Sequence, residues 1–441
     1  MNGWSAGRVA FAAGARLVAG DEGRSGAAGA AIDSRAAAGR LFVGLAGARA
    51  DGGEYAPAAL AGGAWGVLVS ERHAAAAAAA ASPGVPVLAA SDPLAALQAL
   101  ARERRRDLGC PVVGVTGSTG KTSTKDILAS LLAPHLAVHA NRENLNTEIG
   151  LPLSILDAPD GAQALVLEMA MRGTGQIAEL VEIAEPDVGV IVNVGPVHLE
   201  LLGTVERVAA AKAELIRDLE PGASCVVPAA EPLLDAHLRD DLDTVTFGEA
   251  GDVRLASFED GEATVWARGE RLVLRPGFSE PHNLENMLAA VGAALCLGVR
   301  PEGEVDVRFS SLRGEVVELP GGVTVVNDCY NANPMSMRAA LDHLAGSAAE
   351  RRVAVLGEMA ELGPDAERFH REIGAHAQEL GIDLLVAVGE GALPIAEAFG
   401  GETYPVAGPE EAGALLQEIA EPGDRVLVKG SRSAGLERVL A

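Results

Sequence analysis

The stretch "PVVGVTGSTGKTSTKD", residues 111–126, decides the fold. An apolar run reaches a glycine-rich turn, and the chain restarts as a helix with Lys121 in its first turn. A strand that ends in glycines before a helix aims free backbone N–H groups and the positive helix end at an anion. Lys121 adds a point charge for outer phosphates, and Thr122 a hydroxyl for Mg²⁺. The spacing is not G-x-x-x-x-G-K-[ST], which needs a glycine where Val115 stands; the glycines are Gly114, Gly117 and Gly120. A tight βα turn with a surface lysine is the plainer alternative. Strand, glycines, Gly-Lys and Thr in one place favour nucleotide binding.

Working outward, regular strand–helix alternation starts at Pro111. "VVGVT" is followed by a helix from Lys121, "ALVLEMA" by a helix over "GQIAELVEIA", and "VGVIVNV" by one over "TVERVAAAKAELIRDL". Continuous apolar strands with helices between them signal a parallel sheet covered on both faces. Residues 251–275 read as short antiparallel strands, and "HNLENMLAAVGAALCLGV" returns to helix. Upstream, "RLFVGLAG", "WGVLVS" and "VPVLAA" are short strands among alanine-rich helices, closed by the helix "DPLAALQALARERRRDL" and a "GCP" boundary. Downstream, "VVELPGGVTVVND" reads as a hairpin, and "RRVAVLG", "DLLVAVG" and "RVLVKG" alternate with helices. The expectation is an α/β chain of three domains, 1–108, 109–313 and 314–441: a small α/β domain, a central P-loop ATPase-like parallel sheet, and a C-terminal Rossmann-like domain.

Composition narrows the function. The 441 residues are 49% hydrophobic and only 3% aromatic, so the core rests on Ala, Val, Leu and Ile. A formal charge of −26 argues against nucleic-acid or anionic-membrane surfaces, which need clustered positive charge. Four scattered cysteines form neither a disulfide framework nor a zinc spacing and suit a reducing cytoplasm. No signal peptide is read, and no run of about 18 apolar residues reads as a membrane span.

Several residues carry chemistry. Glu168 ends an apolar strand, where a carboxylate in a parallel sheet reaches the phosphate crevice. His198 follows the next strand, and Lys212 lies in the helix after it. Singly, the histidine reads as packing or a cap, and the lysine, beside Glu214 and near Arg217, as a solvated side chain in a surface ion pair. Together they fall on three successive elements at one sheet edge. Asn283 reads equally as a helix cap, Arg313 as an exposed linker residue, and Asp328 with Asn331 as turn formers.

Thr-Gly-x-x-Gly-Lys-Thr, Thr116 to Thr122, resembles the ATP loop of the Mur ligase superfamily, whose members form amide bonds in peptidoglycan synthesis. The resemblance implies that Thr116, Gly117, Ser118, Thr119, Gly120, Lys121, Thr122 and Ser123 hold ATP. It implies that Lys121, Glu168, His198 and Lys212 are catalytic, with Thr122, Glu168, His198 and a carbamylated Lys212 serving Mg²⁺. Carbamylation would turn an amine into a carboxylate-like oxygen ligand, which hard Mg²⁺ favours. "PHNLENMLAA" places Asn283 at the adenine, and "LRGE" places Arg313 at the phosphates. "VVNDCYNANPMSMRAAL" resembles the branch that adds D-alanyl-D-alanine to UDP-N-acetylmuramoyl-tripeptide, with Asp328 at the ribose and Asn331 in the nucleotide cleft. "VLGEMAELG" and "VLVKGSRSAGLERV", with Lys429, Ser431 and Arg432, support the same branch. "AIDSRAAAGRLFVGLAGARADGGEYAPAALAGGAWGVLVS" resembles the uridine-diphosphate domain, with Ser34-Arg35 as one motif and Arg49 with Asp51-Gly52 as another. "NLNTEIGLP" resembles the loop that meets the muramoyl-peptide, through Asn144, Asn146 and Thr147.

The departures are Thr147 where Asn is frequent, Gly53 where His is, Ala170 where Gly is, and Ser279-Glu280-Pro281 where a glycine pair is. The implied cofactors are ATP and Mg²⁺, and the expected form is a cytoplasmic monomer. A ligase adding one amino acid, a folylpolyglutamate synthetase, or an ATP-binding scaffold are the alternatives.

Overall fold

The computed structural model describes residues 1, 3–142 and 144–440. The strand Val112–Thr116 is buried along its whole length, as its apolar run requires. It sits inside a ten-stranded sheet, between Ala164–Glu168 on one side and Val188–Ile191 on the other. All three strands are parallel. The chain therefore leaves the inner strand in one direction and later returns on its other side, and that reversal opens a crevice at the strand ends. The turn after Thr116 lies there. Helix Lys121–Leu132 follows and packs against helix Pro281–Cys296 on one face of the sheet.

Beyond Val188–Ile191 the parallel set continues with Ser224–Pro228 and Asp243–Phe247. The expected antiparallel strands follow as a meander, Val253–Glu259, Glu262–Ala267 and Glu270–Pro276. Burial alternates along the middle strand of the meander, consistent with one covered face. The helix expected across residues 204–219 is interrupted at Ala213, giving Val205–Lys212 and Glu214–Arg217. Glu214 is instead engaged with a neighbouring helix: its carboxylate accepts from the Gly175 N–H at 2.6 Å and the Ala178 N–H at 3.1 Å. It thereby satisfies the N-terminal amides of Gln176–Ala184.

A five-stranded sheet precedes this unit, in the order Arg16–Ala19, Val87–Ala90, Gly66–Ser70, Leu41–Val43, Ala30–Ala31; only the first pairing is antiparallel. Helix Pro93–Leu108 connects the two sheets. Asp92 caps it by accepting from Leu94 and Ala95, and Gly109 ends it at φ +63°. It packs chiefly on helices Gly150–Asp157 and Gln176–Ala184 of the central unit. Buried Arg104 anchors it there by donating to the Ala158 carbonyl at 2.8 Å and pairing with Asp160 at 2.6 Å.

The third sheet has six strands. The hairpin Glu315–Leu319 and Val323–Asn327 forms its edge, and Asp424–Lys429, Arg351–Gly357, Leu384–Val388 and Glu402–Val406 follow in parallel. No helix among the described residues is long and apolar enough to cross a membrane.

Candidate active site

The phosphate loop is built from both flanks. Gly120 has φ +76°, and the amide of buried Asn286 occupies the space a Cβ would need, so only glycine fits. Asn193, at the end of the neighbouring strand, braces the loop: its Oδ1 accepts from the Ser118 and Thr119 N–H groups, each at 3.0 Å. Ser118 Oγ accepts from the Gly195 N–H at 2.8 Å. The free amides thus lie at the start of the helix, at Lys121, Thr122 and Ser123, where no preceding helical turn supplies carbonyls. Such amides, together with the helix dipole, are of the kind that can receive an anion.

Lys121 donates to the Gly117 carbonyl at 2.8 Å. Burial pulls its pKa down, opposed by the Glu168 carboxylate and reinforced by Arg313. Glu168 is buried, accepting from Thr122 Oγ1 at 2.7 Å and from Asn146 Nδ2 at 2.7 Å. Its main chain is clamped by Asn141, whose Oδ1 accepts from the Glu168 N–H at 2.8 Å while Nδ2 donates to the Glu168 and Leu145 carbonyls at 3.0 and 2.8 Å. Lys125 in turn donates to the Asn141 carbonyl at 2.8 Å.

Lys212 is buried, with 2% of its surface exposed, so the surface ion-pair alternative is overturned. Glu214 caps a helix, as above, and Arg217 pairs with Asp218. No hydrogen bond to the Lys212 amine is formed among the described residues. Burial first, then the charge of nearby Lys121, depress its pKa well below the usual lysine value. His198 stands at φ +53° at the start of helix Leu199–Leu202, and its side chain does not cap that helix. Its Nδ1 is bonded to Glu361 of the third unit. Burial lowers its pKa against the opposing Glu361, and Lys121 and Lys212 lower it further.

A hydroxyl, a carboxylate and an imidazole in this setting fit a hard divalent cation that takes its remaining ligands from phosphate oxygens and water. No three His, Cys, Asp or Glu side chains surround one point among the described residues, so such a cation depends on ligand oxygens.

The third unit reaches the same place. Asn333 caps helix Pro334–Gly346 and donates from Nδ2 to the Ser118 carbonyl at 3.4 Å. Met335 packs against Gly195 where a Cβ would clash. The turn-former reading of Asp328 is replaced by an ion pair with buried Lys429 at 2.6 Å, and Lys429 also donates to the Asn331 carbonyl at 3.0 Å. Asn331 itself is exposed and accepts from the Ala332 N–H. Arg313 is not a bare linker residue; its guanidinium stacks 4.2 Å over the Tyr330 ring. Ser431 Oγ accepts from the Ala360 N–H at 2.8 Å, and Arg432 pairs with Glu437. Asn283 does not cap its helix: Glu280 holds that position, and Asn283 lies one turn in, beside Asn286.

Other expected residues stand apart. Asn144 and Thr147 are exposed. Ser34 and Arg35 lie in a one-turn helix capped by Asp33, which pairs with Arg35. Arg49 is exposed, while Asp51 pairs with Arg72 and His73, and the His73 ring stands against Gly53. No hydrogen bond or ion pair among the described residues joins this group to the phosphate loop. Asn141, Asn193, Asn286, Asn333 and Glu361 were not legible as site residues. The available signal was that Asn141 and Asn193 closely follow apolar strands, which caps and turns explain equally well; Asn286 lies inside a helix and Asn333 at a helix start.

A glycine loop at a parallel-sheet crevice, covered by a second parallel-sheet unit, defines an ATP-dependent ligase, and the chain belongs to the Mur ligase family. Residues 115–294 match the Mur ligase middle domain, and residues 312–432 match the family described as Mur ligase, glutamate ligase domain. Within that family, the chain is 36% identical to the UDP-N-acetylmuramoyl-tripeptide–D-alanyl-D-alanine ligase of a Synechocystis strain, covering 91% of this chain and 88% of the relative. It superposes on MurF from Acinetobacter baumannii with a TM-score of 0.87 at 28% identity, covering 99% of this chain and 98% of the other. It also superposes on the MurF ligase from Thermotoga maritima in complex with ADP, with a TM-score of 0.81 at 32% identity, covering 93% and 96%.

Proposed function

We propose that this protein joins D-alanyl-D-alanine to UDP-N-acetylmuramoyl-tripeptide with cleavage of ATP to ADP and phosphate, yielding the pentapeptide precursor of peptidoglycan. The observation that carries the reading is the meeting of two units at one loop. Asn333 of the "NDCYNANP" segment bonds the phosphate loop, and Asp328 and Lys429 pair in the same third unit. Relatives of that name along nine-tenths of the chain support it. In this reading residues 1–108 hold the nucleotide sugar through Ser34, Arg35 and Asp51, residues 109–313 hold ATP, and residues 314–441 bring the dipeptide with Lys429, Ser431 and Arg432. Four unpaired thiols suit the reducing cytoplasm to which we assign this enzyme, acting as a single chain.

A carboxylate does not condense with an amine in water unaided, so the peptide's terminal carboxylate is first phosphorylated. Phosphoryl transfer needs positioning and charge neutralisation more than covalent help. The free amides of Lys121, Thr122 and Ser123 seat the phosphates. Lys121 exchanges the Gly117 carbonyl for a phosphate oxygen, which favours its charged form against the cost of burial. Arg313 closes from the hinge to the third unit. Thr122, Glu168 and His198 would hold Mg²⁺, which when bound would supply neutralisation of the transferring group. Lys212, whose amine burial makes easier to deprotonate, is suited to take up CO₂ with loss of a proton and would offer a carbamate oxygen there. The dipeptide amine then attacks the acyl carbon, its nitrogen gives up a proton, and phosphate leaves to give the amide. Contact of the third unit with the loop keeps water from the acyl phosphate.

The test is phosphate release from ATP by the full chain with Mg²⁺, omitting each partner in turn. Release requiring both partners, with a pentapeptide product of matching mass, is expected. Release with the nucleotide sugar and a single amino acid would overturn the dipeptide assignment. ATP binding without release in any combination would favour a scaffold.

A further inference from the structure

The loop between strand Arg351–Gly357 and helix Ala366–Glu379 belongs to the third sheet, yet it lies against the central unit. Glu361 in this loop has φ +62° and meets His198 at φ +53°. Two non-glycine residues in the left-handed region thus face each other across the units. Such strain persists where the surroundings over-determine it, and it gathers at functional sites.

The surroundings here do so. One Glu361 oxygen accepts from His198 Nδ1, and the other lies 3.4 Å from Arg172 Nε. The Glu361 carbonyl accepts from the Glu200 N–H at 3.2 Å. Gly363, at φ +64°, lets the loop lie on the backbone of Glu200, where a Cβ would come within 3.2 Å. From its own side the loop is pinned where His370 Nε2 accepts from the Met359 N–H and Ser431 Oγ from the Ala360 N–H, each at 2.8 Å.

We propose that Glu361 is a positioning residue for His198: its carboxylate holds the imidazole with the proton on Nδ1, so that Nε2 presents its lone pair to the divalent cation at the phosphate loop. This rests on the reading of His198 as a cation ligand given above. A carboxylate behind a ligating histidine fixes its tautomer and ring orientation and raises its basicity. The carboxylate comes from the third unit, so docking of that unit and cation affinity are linked. By reciprocity, cation binding then favours the docked arrangement by the same factor. A plain clasp between the units would need only the Arg172 and Glu200 contacts.

The experiment titrates Mn²⁺ into the full chain with ADP and reads free Mn²⁺ by electron paramagnetic resonance. Glu361→Ala is expected to weaken Mn²⁺ binding about 10-fold or more, the usual effect of losing such a partner. Glu361→Asp should recover part of the loss, and Glu361→Gln guards against misfolding because it preserves shape. Arg172→Ala removes the other arm of the contact and should leave the affinity unchanged. If His198→Ala weakens binding while Glu361→Ala and Glu361→Gln do not, Glu361 is only a clasp and the inference falls. An Arg172→Ala loss equal to that of Glu361→Ala overturns it too. Undiminished affinity in His198→Ala would remove the reading of His198 as a ligand, and this inference with it.

Discussion

Replacing Asn141 by alanine tests the clamp that holds Glu168 at the site. The side chain is 1% exposed and makes three hydrogen bonds of 2.8 to 3.0 Å, all to the main chain of Glu168 and Leu145. Each is worth about 0.5–1.5 kcal/mol net, so their loss alone is about 3 kcal/mol. The Glu168 N–H and the carbonyls of Glu168 and Leu145 then lose their Asn141 partner. Incomplete rehydration brings the expected cost to about 3–5 kcal/mol, at the upper end for a single substitution. Asn141→Asp sharpens the test. It keeps the acceptor for the Glu168 N–H but turns the donor toward two carbonyls into a second acceptor beside the Glu168 carboxylate. It should therefore cost at least as much as alanine despite its nearly equal shape. The assay is guanidinium unfolding followed by far-ultraviolet circular dichroism, reading the transition that ADP shifts, since three units need not unfold as one. Phosphate release should fall in parallel, because Glu168 is no longer held toward Thr122. A loss below about 1 kcal/mol for Asn141→Ala, or a milder effect for Asn141→Asp, would refute the clamp.

Lys121→Ala should lower turnover by about 10²–10³-fold or more while leaving the circular dichroism spectrum intact, in line with loss of a charge aimed at the transferring group; near-normal phosphate release would remove the loop assignment. Lys212→Ala should be strongly impaired and partly restored by a small added carboxylate. Full activity without rescue would make Lys212 an ordinary core residue. Acid should destabilise the fold before its carboxylates titrate. Burial lowers the pKa values of His139, His282 and His370, so the unfolded chain binds protons first as pH falls. The stability from these neutral imidazoles is fully present above about pH 6.5 and is lost as pH drops from there through the folded values. Each contributes a slope of at most about 1.4 kcal/mol per pH unit, and a flat denaturation midpoint between pH 6.5 and 5 would contradict it.

Residues 111–126 carried the central fold by themselves, because strand, turn and helix there are set by neighbours in the chain. Apolar runs bury as strands, Gly120 accepts a backbone that other residues resist, and the helix start leaves its amides free. The hairpin at 315–327 and the meander at 253–276 were legible for the same reason. The glycine turn at the crevice, the strand end at Glu168 and the family resemblance followed from local pattern. Tertiary structure alone decided what the polar residues do. Lys212 and Glu214 lie two apart in a charged helix, a spacing that reads as solvated, yet one is a buried amine and the other caps a distant helix. Asn141, Asn193 and Asn333 each look like turn formers, but they bond groups 27, 75 and 215 residues away. His198 and Glu361 are 163 residues apart and meet only because the third unit docks on the central one. Backbone preference and apolar periodicity act over a few residues and are written along the chain. Burial and polar partnership depend on which surfaces meet, and that is settled only when the sheets pack.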